Sequence, residues 1–460
     1  MLFNSPVFLY AFLPVAYFVF WSLNTHQQRY VWLTITGYVF YGFWDYRFCA
    51  LMAFSTLVSY LAGLGMLRWE GRPRHRRLCL IVPVATDLAL LAFFKYSGLF
   101  LDTARALSQR FGLSLSVPVF HVILPIGISF YTFHTISYIV DSYRRVITPT
   151  RNFFEFSCYV SLFCQLVAGP IVRFRQIESD LENLGDRGRK TYWERGWSFF
   201  VLGMIKKVLI ADTIAAVIDP AFLHYQTLST VGAWLAMFGY AYQLYFDFSG
   251  YSDMAVGLGQ LFGLRIPQNF ASPYKATDPS DFWRRWHISL STCLRDYLYF
   301  PLGGNRRFVY RNLLVTMLLG GLWHGANWTF LVWGAYHGIL LVAYKRFGKY
   351  WDPLPGMFRR ATMLVLVVIG WVFFRSPSFV VAVHFLKTMF MPQAGIAFPG
   401  TGTLVAALLV STAITQLLPN TFELSHRWRS TEVLALSLCF AFTLAMTYGF
   451  RMSPFLYFQF

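Results

Sequence analysis

Apolar runs long enough to cross about 30 Å of hydrocarbon recur from one end of this 460-residue chain to the other. No other feature restricts the fold as much. Inside lipid every backbone N–H and C=O must find a partner within the protein, which leaves helices or a closed barrel. A barrel needs a series of short segments of alternating polarity, and none is visible. The expected fold is an all-α polytopic membrane protein, organised as a single integral-membrane domain over 1–460. Hydrophobic residues at 56% and charged residues at 13% exclude an ordinary soluble domain.

The net charge of +18 fits cytoplasmic loops lying beside anionic lipid, so membrane lipid is an expected partner. Nucleic acid is not, because no soluble basic domain exists to hold it. Cys49, Cys79, Cys158, Cys164, Cys293 and Cys439 stand apart, mostly in apolar sequence and with no C-x-x-C. They read as small buried hydrophobes rather than disulfides or metal ligands. The run from Pro6 to Trp21 has neither a basic flank nor a small-residue cleavage site, and is expected as a retained first span. Spans are expected at 6–23, 31–44, 48–67 and 78–96, the last carrying Asp87 and Lys95. The loop from Arg68 to Arg77 is the most basic short loop. The positive-inside rule puts it in the cytoplasm and the N-terminus outside. Residues 97–116 read as an amphipathic connector and 117–140 as a helix kinked near Pro125 and Gly127. A span at 153–170 and a polar surface segment at 173–196 follow. Later spans are expected at 197–218, 229–247, 311–321, 323–345, 358–374, 379–391, 402–418 and 432–450.

Three stretches interrupt this pattern with chemistry. Tyr245–Met254 places Asp247 and Asp253, two serines and Gly250 in apolar sequence. Either a broken helix lines a cavity there, or helices are knotted together by hydrogen bonds. Segment 281–300 is too polar to face lipid and reads as a re-entrant or interfacial helix. In it, Asp281 precedes Arg284 and Arg285 by three and four residues, the spacing of an ion pair on one helical turn. By i±4 spacing His287 is expected to share a helix face with Trp283 and Ser291. Arginine forks suit phosphate and tryptophan suits a flat ring, as a nucleotide-bearing acyl carrier such as coenzyme A would require. Interfacial anchoring accounts for the same residues. The third stretch is Gly320-Gly321-Leu322-Trp323-His324-Gly325-Ala326-Asn327-Trp328. Its G-x-x-x-G allows another backbone to come close. On a continuous helix Asn327 and Trp328 would share the face of His324. An imidazole at bilayer depth is either a base for a hydroxyl or a packed, hydrogen-bonded group. His337, thirteen residues on, would lie about 140° round and about 20 Å along such a helix, so the two cannot chelate one metal unless the helix breaks. Tyr457, in the aromatic tail, is either an acyl acceptor or part of an interfacial belt.

The stretches DFWRRWHISLSTCLRDYLYFPLGGNR, GGLWHGANWTFLVWGAYHG, QLYFDFSGYSDMAVGLG, LPIGISFYTFHTISYIVD and PFLYFQF closely resemble the membrane-bound O-acyltransferase (MBOAT) family. The branch they resemble most is the membrane subunits of bacterial alginate O-acetylation, close to those of peptidoglycan and cellulose. The resemblance implies a multi-helix bundle with a central tunnel, with His324 at its constriction and His287 as the second motif histidine. It implies acetyl-CoA as acyl donor with no bound cofactor or metal, and a periplasmic partner that passes acetyl to a polysaccharide. It implies a bacterial inner-membrane location and a tyrosine relay at Tyr457. On that footing Asn327, Trp328, Trp283 and Asp281 are expected to position substrate, and Arg284, Arg285 and Arg306 to meet the donor phosphates. A transporter that moves acetyl or another solute without chemistry is the competing expectation.

Overall fold

The computed structural model describes residues 1–112, 122–167, 169–186, 188–395, 398–449 and 456. Tyr457 and most of the expected kinked stretch before Ile123 lie outside the described residues. Within them the chain is helical, without strands. Contacts divide it into two compact units, Met1–Trp193 with Leu258–Pro267, and Glu194–Gly257 with Gln268–Phe460. Among the described residues, four stretches are long and apolar enough to cross a membrane: His26–Arg68, Pro73–Arg110, Gly356–Arg375 and Ser430–Tyr448. Phe8–Ser22, Phe379–Phe390 and Thr401–Leu417 are shorter apolar helices.

The first unit contains α1 (Leu13–Ser22), α2 (His26–Asp45), α3 (Cys49–Arg68), α4 (Pro73–Leu91), α5 (Ser97–Arg110), α6 (Ile128–Tyr143), α7 (Phe153–Ser161), α8 (Phe163–Leu166) and α9 (Phe174–Glu182). Thr25 and Gln28 close a capping box that starts α2. Gly37 lets α2 touch α7, since a Cβ there would meet the Ser161 carbonyl oxygen. Asp87, one of the internal charges, is buried on α4. It accepts hydrogen bonds from Ser55 of α3 and Thr135 of α6, each at 2.6 Å, and so ties three helices together. The stretch expected as an amphipathic connector is the helix α5. It continues from α4 through one wide turn at Ala92–Tyr96, because nothing between Leu91 and Arg110 breaks helical geometry.

The second unit contains α10 (Trp193–Ile205) from Glu194 on, α11 (Asp212–Leu223), α12 (Thr230–Leu261) as far as Gly257, α13 (Pro279–Arg285), α14 (Ile288–Leu294), α15 (Val309–His324), α16 (Trp328–Trp351), α17 (Gly356–Arg375), α18 (Phe379–Phe390), α19 (Thr401–Leu417) and α20 (Ser430–Gly449). The broken helix expected at 245–254 is corrected: α12 runs unbroken for 32 residues. Its carboxylates are neutralised where they stand, so no unwinding is needed. Lys207 Nζ lies 2.7 Å from Asp247 and 2.6 Å from Asp212, while Lys206 Nζ lies 2.6 Å from Asp253. Thr421 donates a further 2.6 Å hydrogen bond to Asp253. A Cβ on Gly250 would lie 2.7 Å from the Gly203 carbonyl oxygen, which is why this face of α12 can approach α10 so closely.

α15 and α16 form a tight antiparallel hairpin. A Cβ on Gly321 would sit 2.3 Å from the Phe330 oxygen, and one on Gly334 would sit 2.3 Å from the Met317 oxygen. A contact that short forces backbone apart, which typically costs about 1–3 kcal/mol. Gly334→Ala is therefore expected to lower the stability of the detergent-solubilised protein by about that amount. Gly356→Ala, where a Cβ meets nothing within 4 Å, is expected to leave the melting temperature unchanged or raised.

Candidate active site

The chain turns sharply between α13 and α14, and that turn builds half of the site. Pro279 stands at the first helical position of α13, and Asp278 caps it by accepting from the Asp281 N–H at 2.7 Å. The carboxylate of Asp281 takes Arg285 Nε at 2.9 Å, with an Arg284 nitrogen at 3.6 Å. Arg285 also donates to the Ala271 carbonyl at 3.2 Å. Helical geometry then stops. Trp286 is extended, and His287 has φ +44°, a left-handed conformation that a residue with a Cβ rarely adopts. The expected continuous face through Trp283, His287 and Ser291 is thereby corrected. Trp283 lies within α13, which ends at Arg285, and His287 caps the start of the next helix. The His287 ring is fully buried, its Nδ1 3.1 Å from Asn269 Oδ1. Burial lowers its pKa from the ordinary imidazole value to about 3, so the ring is neutral.

The α15–α16 hairpin builds the other half. His324 is the last residue of α15, and Gly325 follows in extended backbone. Asn327 restarts the helix as the N-cap of α16, accepting from the Thr329 N–H at 3.1 Å. Its amide nitrogen donates to the Pro377 carbonyl at 2.9 Å. The expectation that Asn327 and Trp328 share the His324 face is corrected, because the helix breaks between them. Trp328 is 47% exposed. The same break folds His337 back towards His324, against the separation expected on one helix. Trp333 packs on both, 5.1 Å from the His324 ring centroid and 5.0 Å from that of His337. Trp323 and Phe374 complete the His324 cage at 5.0 and 5.2 Å, and the His287 ring lies 6.2 Å away.

His324 opens onto a cavity of about 900 Å³. Its lining combines aromatic and aliphatic groups with a cluster of cations: Arg284, Arg295, Lys345, Arg346 and Lys349. Trp333 and Lys349 both lie on α16, sixteen residues apart, so the cavity follows that helix for about 24 Å. A buried imidazole thus stands at one station along this wall, and exposed ammonium groups at another.

The sequence profile of MBOAT, the membrane-bound O-acyltransferase family, matches residues 132–379. The chain belongs to this family. Among its relatives is a probable alginate O-acetylase AlgI of Pseudomonas putida, 45% identical over 85% of this chain and 80% of that protein. One of the same name from Pseudomonas aeruginosa is 43% identical over 89% and 80%. A peptidoglycan O-acetyltransferase of Helicobacter pylori is 36% identical over 85% and 80%. As an MBOAT protein the chain is a membrane-embedded O-acyltransferase.

Of the residues singled out in the sequence of this O-acyltransferase, His324, Trp283 and Arg284 line the cavity. His287 stands behind the His324 cage rather than in the lining. Asp281 and Arg285 hold each other. Arg306, Asn327 and Trp328 are not in the cavity wall, and Tyr457 lies outside the described residues. Lys345, Arg346, Lys349 and Trp333 were missed. For three of them a signal is present: Trp333, Lys345 and Lys349 recur with Leu341, Tyr344 and Gly348 at helical spacing along one face of α16.

The two adjacent arginines have separate work. Arg285→Ala removes a charge-assisted pair and is expected to destabilise the protein by about 1–3 kcal/mol. Arg284→Ala, at an exposed side chain, is expected to stay within about 0.5 kcal/mol. Thermal unfolding of the two variants in one detergent checks this.

Proposed function

We propose that this MBOAT protein transfers acetyl from acetyl-CoA to a hydroxyl on the route to a bacterial cell-surface polysaccharide, with residues 1–460 serving as one acyltransferase domain. The observation that carries this reading is the cavity. It is within the range of volumes that hold small ligands and cofactors, and it joins a caged imidazole to a cation cluster along one helix. Acetyl-CoA has the matching anatomy, with charged phosphates, a long pantetheine arm and a terminal thioester. Lys345, Arg346, Lys349, Arg295 and Arg284 would meet the phosphates, and the thioester would reach His324.

The His324 imidazole then takes the proton of the incoming hydroxyl, and the freed oxygen attacks the acetyl carbonyl carbon. The tetrahedral adduct collapses with cleavage of the carbon–sulfur bond. The thiolate leaves and takes up the proton held on the imidazole. Trp323, Trp333 and Phe374 exclude water, which would otherwise compete as acceptor. Tyr457 remains the proposed relay hydroxyl, and a periplasmic protein the proposed next carrier.

The names of the relatives support alginate as the polymer, with peptidoglycan, the acceptor named for the Helicobacter protein, or cellulose as the other choices. The basic loop at Arg68–Arg77 supports a cytoplasmic face there and, by counting spans, a periplasmic N-terminus in the inner membrane. Solute transport without chemistry loses its main support, since Asp247 and Asp253 are paired with lysines.

In vesicles containing the purified protein, acetyl-CoA and mannuronate oligomers, His324→Ala is expected to lower release of free CoA thiol about 10²–10⁴-fold. An undiminished rate rejects this base. Lys345→Glu combined with Lys349→Glu is expected to raise KM for acetyl-CoA about tenfold with little change in kcat, the mark of lost ground-state binding. The effect should vanish with an acetyl thioester that lacks the nucleotide.

A further inference from the structure

Asn269 is the residue through which the α13–α14 turn is held. Its backbone carbonyl accepts from the Ile288 N–H at 2.9 Å. Its side-chain oxygen accepts from the Ser289 N–H at 3.2 Å and from the Ser289 hydroxyl at 2.8 Å. Its amide nitrogen donates to the Ser252 hydroxyl at 3.2 Å. The side chain is buried, and these partners decide which way its amide faces. A backbone N–H can only donate, so the group beside Ser289 is the oxygen.

The same oxygen lies 3.1 Å from His287 Nδ1. An amide oxygen carries no proton, and the Ser289 hydroxyl, 3.5 Å from Nδ1, gives its own to Asn269 at 2.8 Å, so Nδ1 carries the proton in this hydrogen bond. A neutral imidazole holds a single N–H, which leaves Nε2 with its lone pair. Nε2 is buried and has no hydrogen-bond partner among the described residues. It belongs to a ring 6.2 Å from His324. The left-handed backbone at His287 costs about 1–3 kcal/mol and persists only where its surroundings impose it. Asn269, bonded to the His287 ring and to the two residues that follow it, supplies much of the imposition.

We propose that Asn269 is a positioning residue for the acyl transfer: it locks His287 as the Nδ1–H tautomer, so that Nε2 serves as a hydrogen-bond acceptor beside His324. This rests on the reading of His324 as the base. In this tautomer His287 cannot donate from Nε2 to a developing oxyanion. It can accept a hydrogen bond from the His324 imidazolium that forms when that ring takes the hydroxyl's proton, and so stabilise the charge there. Two imidazoles then have different tasks, and a residue outside the histidine motifs decides which task His287 has.

The test uses the full chain in lipid vesicles with ¹⁵N-labelled histidine, the His287 signals being assigned by their loss in His287→Gln. In the unsubstituted protein Nδ1 is expected to be protonated and Nε2 not. Asn269→Ala is expected to release that preference and to lower kcat at least about tenfold, since a misplaced tautomer is costly in acyl transfer. KM for acetyl-CoA should stay within about twofold, because Asn269 is not in the cavity wall. Asn269→Asp, which keeps an acceptor oxygen, is expected to restore both the tautomer and most of kcat. Protonated Nε2 in the unsubstituted protein overturns the proposal, as does Asn269→Ala with undiminished kcat. If Asn269→Ala fails to fold, the unsubstituted spectrum and Asn269→Asp decide. The spectrum needs no turnover. A fully active His324→Ala removes the catalytic reading on which this one rests, whereas protonated Nε2 with an inactive His324→Ala removes the tautomer lock alone.

Discussion

The contact between α15 and α16 governs the second unit. Gly321 and Gly334 bring two helix backbones to a separation that no side chain allows, and the break at Gly325–Asn327 lets the chain reverse at once. Without that reversal Trp333 could not face His324, and His337 could not fold back against the other side of Trp333. The aromatic cage follows from backbone proximity. Each ring pair adds about 0.5–1.5 kcal/mol beyond the area it buries. Those contributions are available only because the glycines set the distance first. Beyond the turn α16 runs unbroken for 24 residues and supplies one wall of the cavity.

Buried charge is managed in a consistent way. Asp87 is met by two hydroxyls, and Asp247 and Asp253 by two adjacent lysines. Removing one partner of such a pair leaves an uncompensated charge in a low-dielectric interior, which costs several kcal/mol. These groups therefore fix helices against one another and are not free to bind a solute. The cations lining the cavity differ. Lys345, Arg346 and Lys349 are exposed on the cavity wall and form no carboxylate pair among the described residues, so they can meet a ligand's charge.

Much of this was legible in the chain itself. The helical membrane class followed from the length of the apolar runs. The Asp281 ion pairs followed from i, i+3 and i, i+4 spacing, and the close helix approach from Gly321. What was misread shares one cause. A period of 3.6 was carried across positions where the backbone leaves the helix. Gly325 and Asn327 are a stop and an N-cap in succession, the ordinary marks of one helix ending and another beginning. Read as such, they move Asn327 and Trp328 off the His324 face and bring His337 near. At His287 no residue type announces the turn, because left-handed backbone at a histidine is imposed by tertiary bonds from Asn269, eighteen residues earlier. At Asp247 the opposite error arose. Two carboxylates were read as a reason to unwind, when their counter-charges lay forty and more residues away on the chain and could not be seen from the local pattern.

The arrangement of polarity along α16 bears on how acyl transfer can proceed inside a membrane. A thioester is attacked readily by water only if water reaches it, and Trp323, Trp333 and Phe374 set apolar ring surface against His324. The donor's charged end cannot enter such a cage without losing hydration worth many kcal/mol. Placing cations about four helical turns away removes that conflict. With the proposed donor, phosphates would stay among ammonium groups in a wet region while an uncharged arm would carry the reactive carbonyl inward. The neutral cage and the charged region are then two ends of one requirement, and a single unbroken helix sets the distance between them.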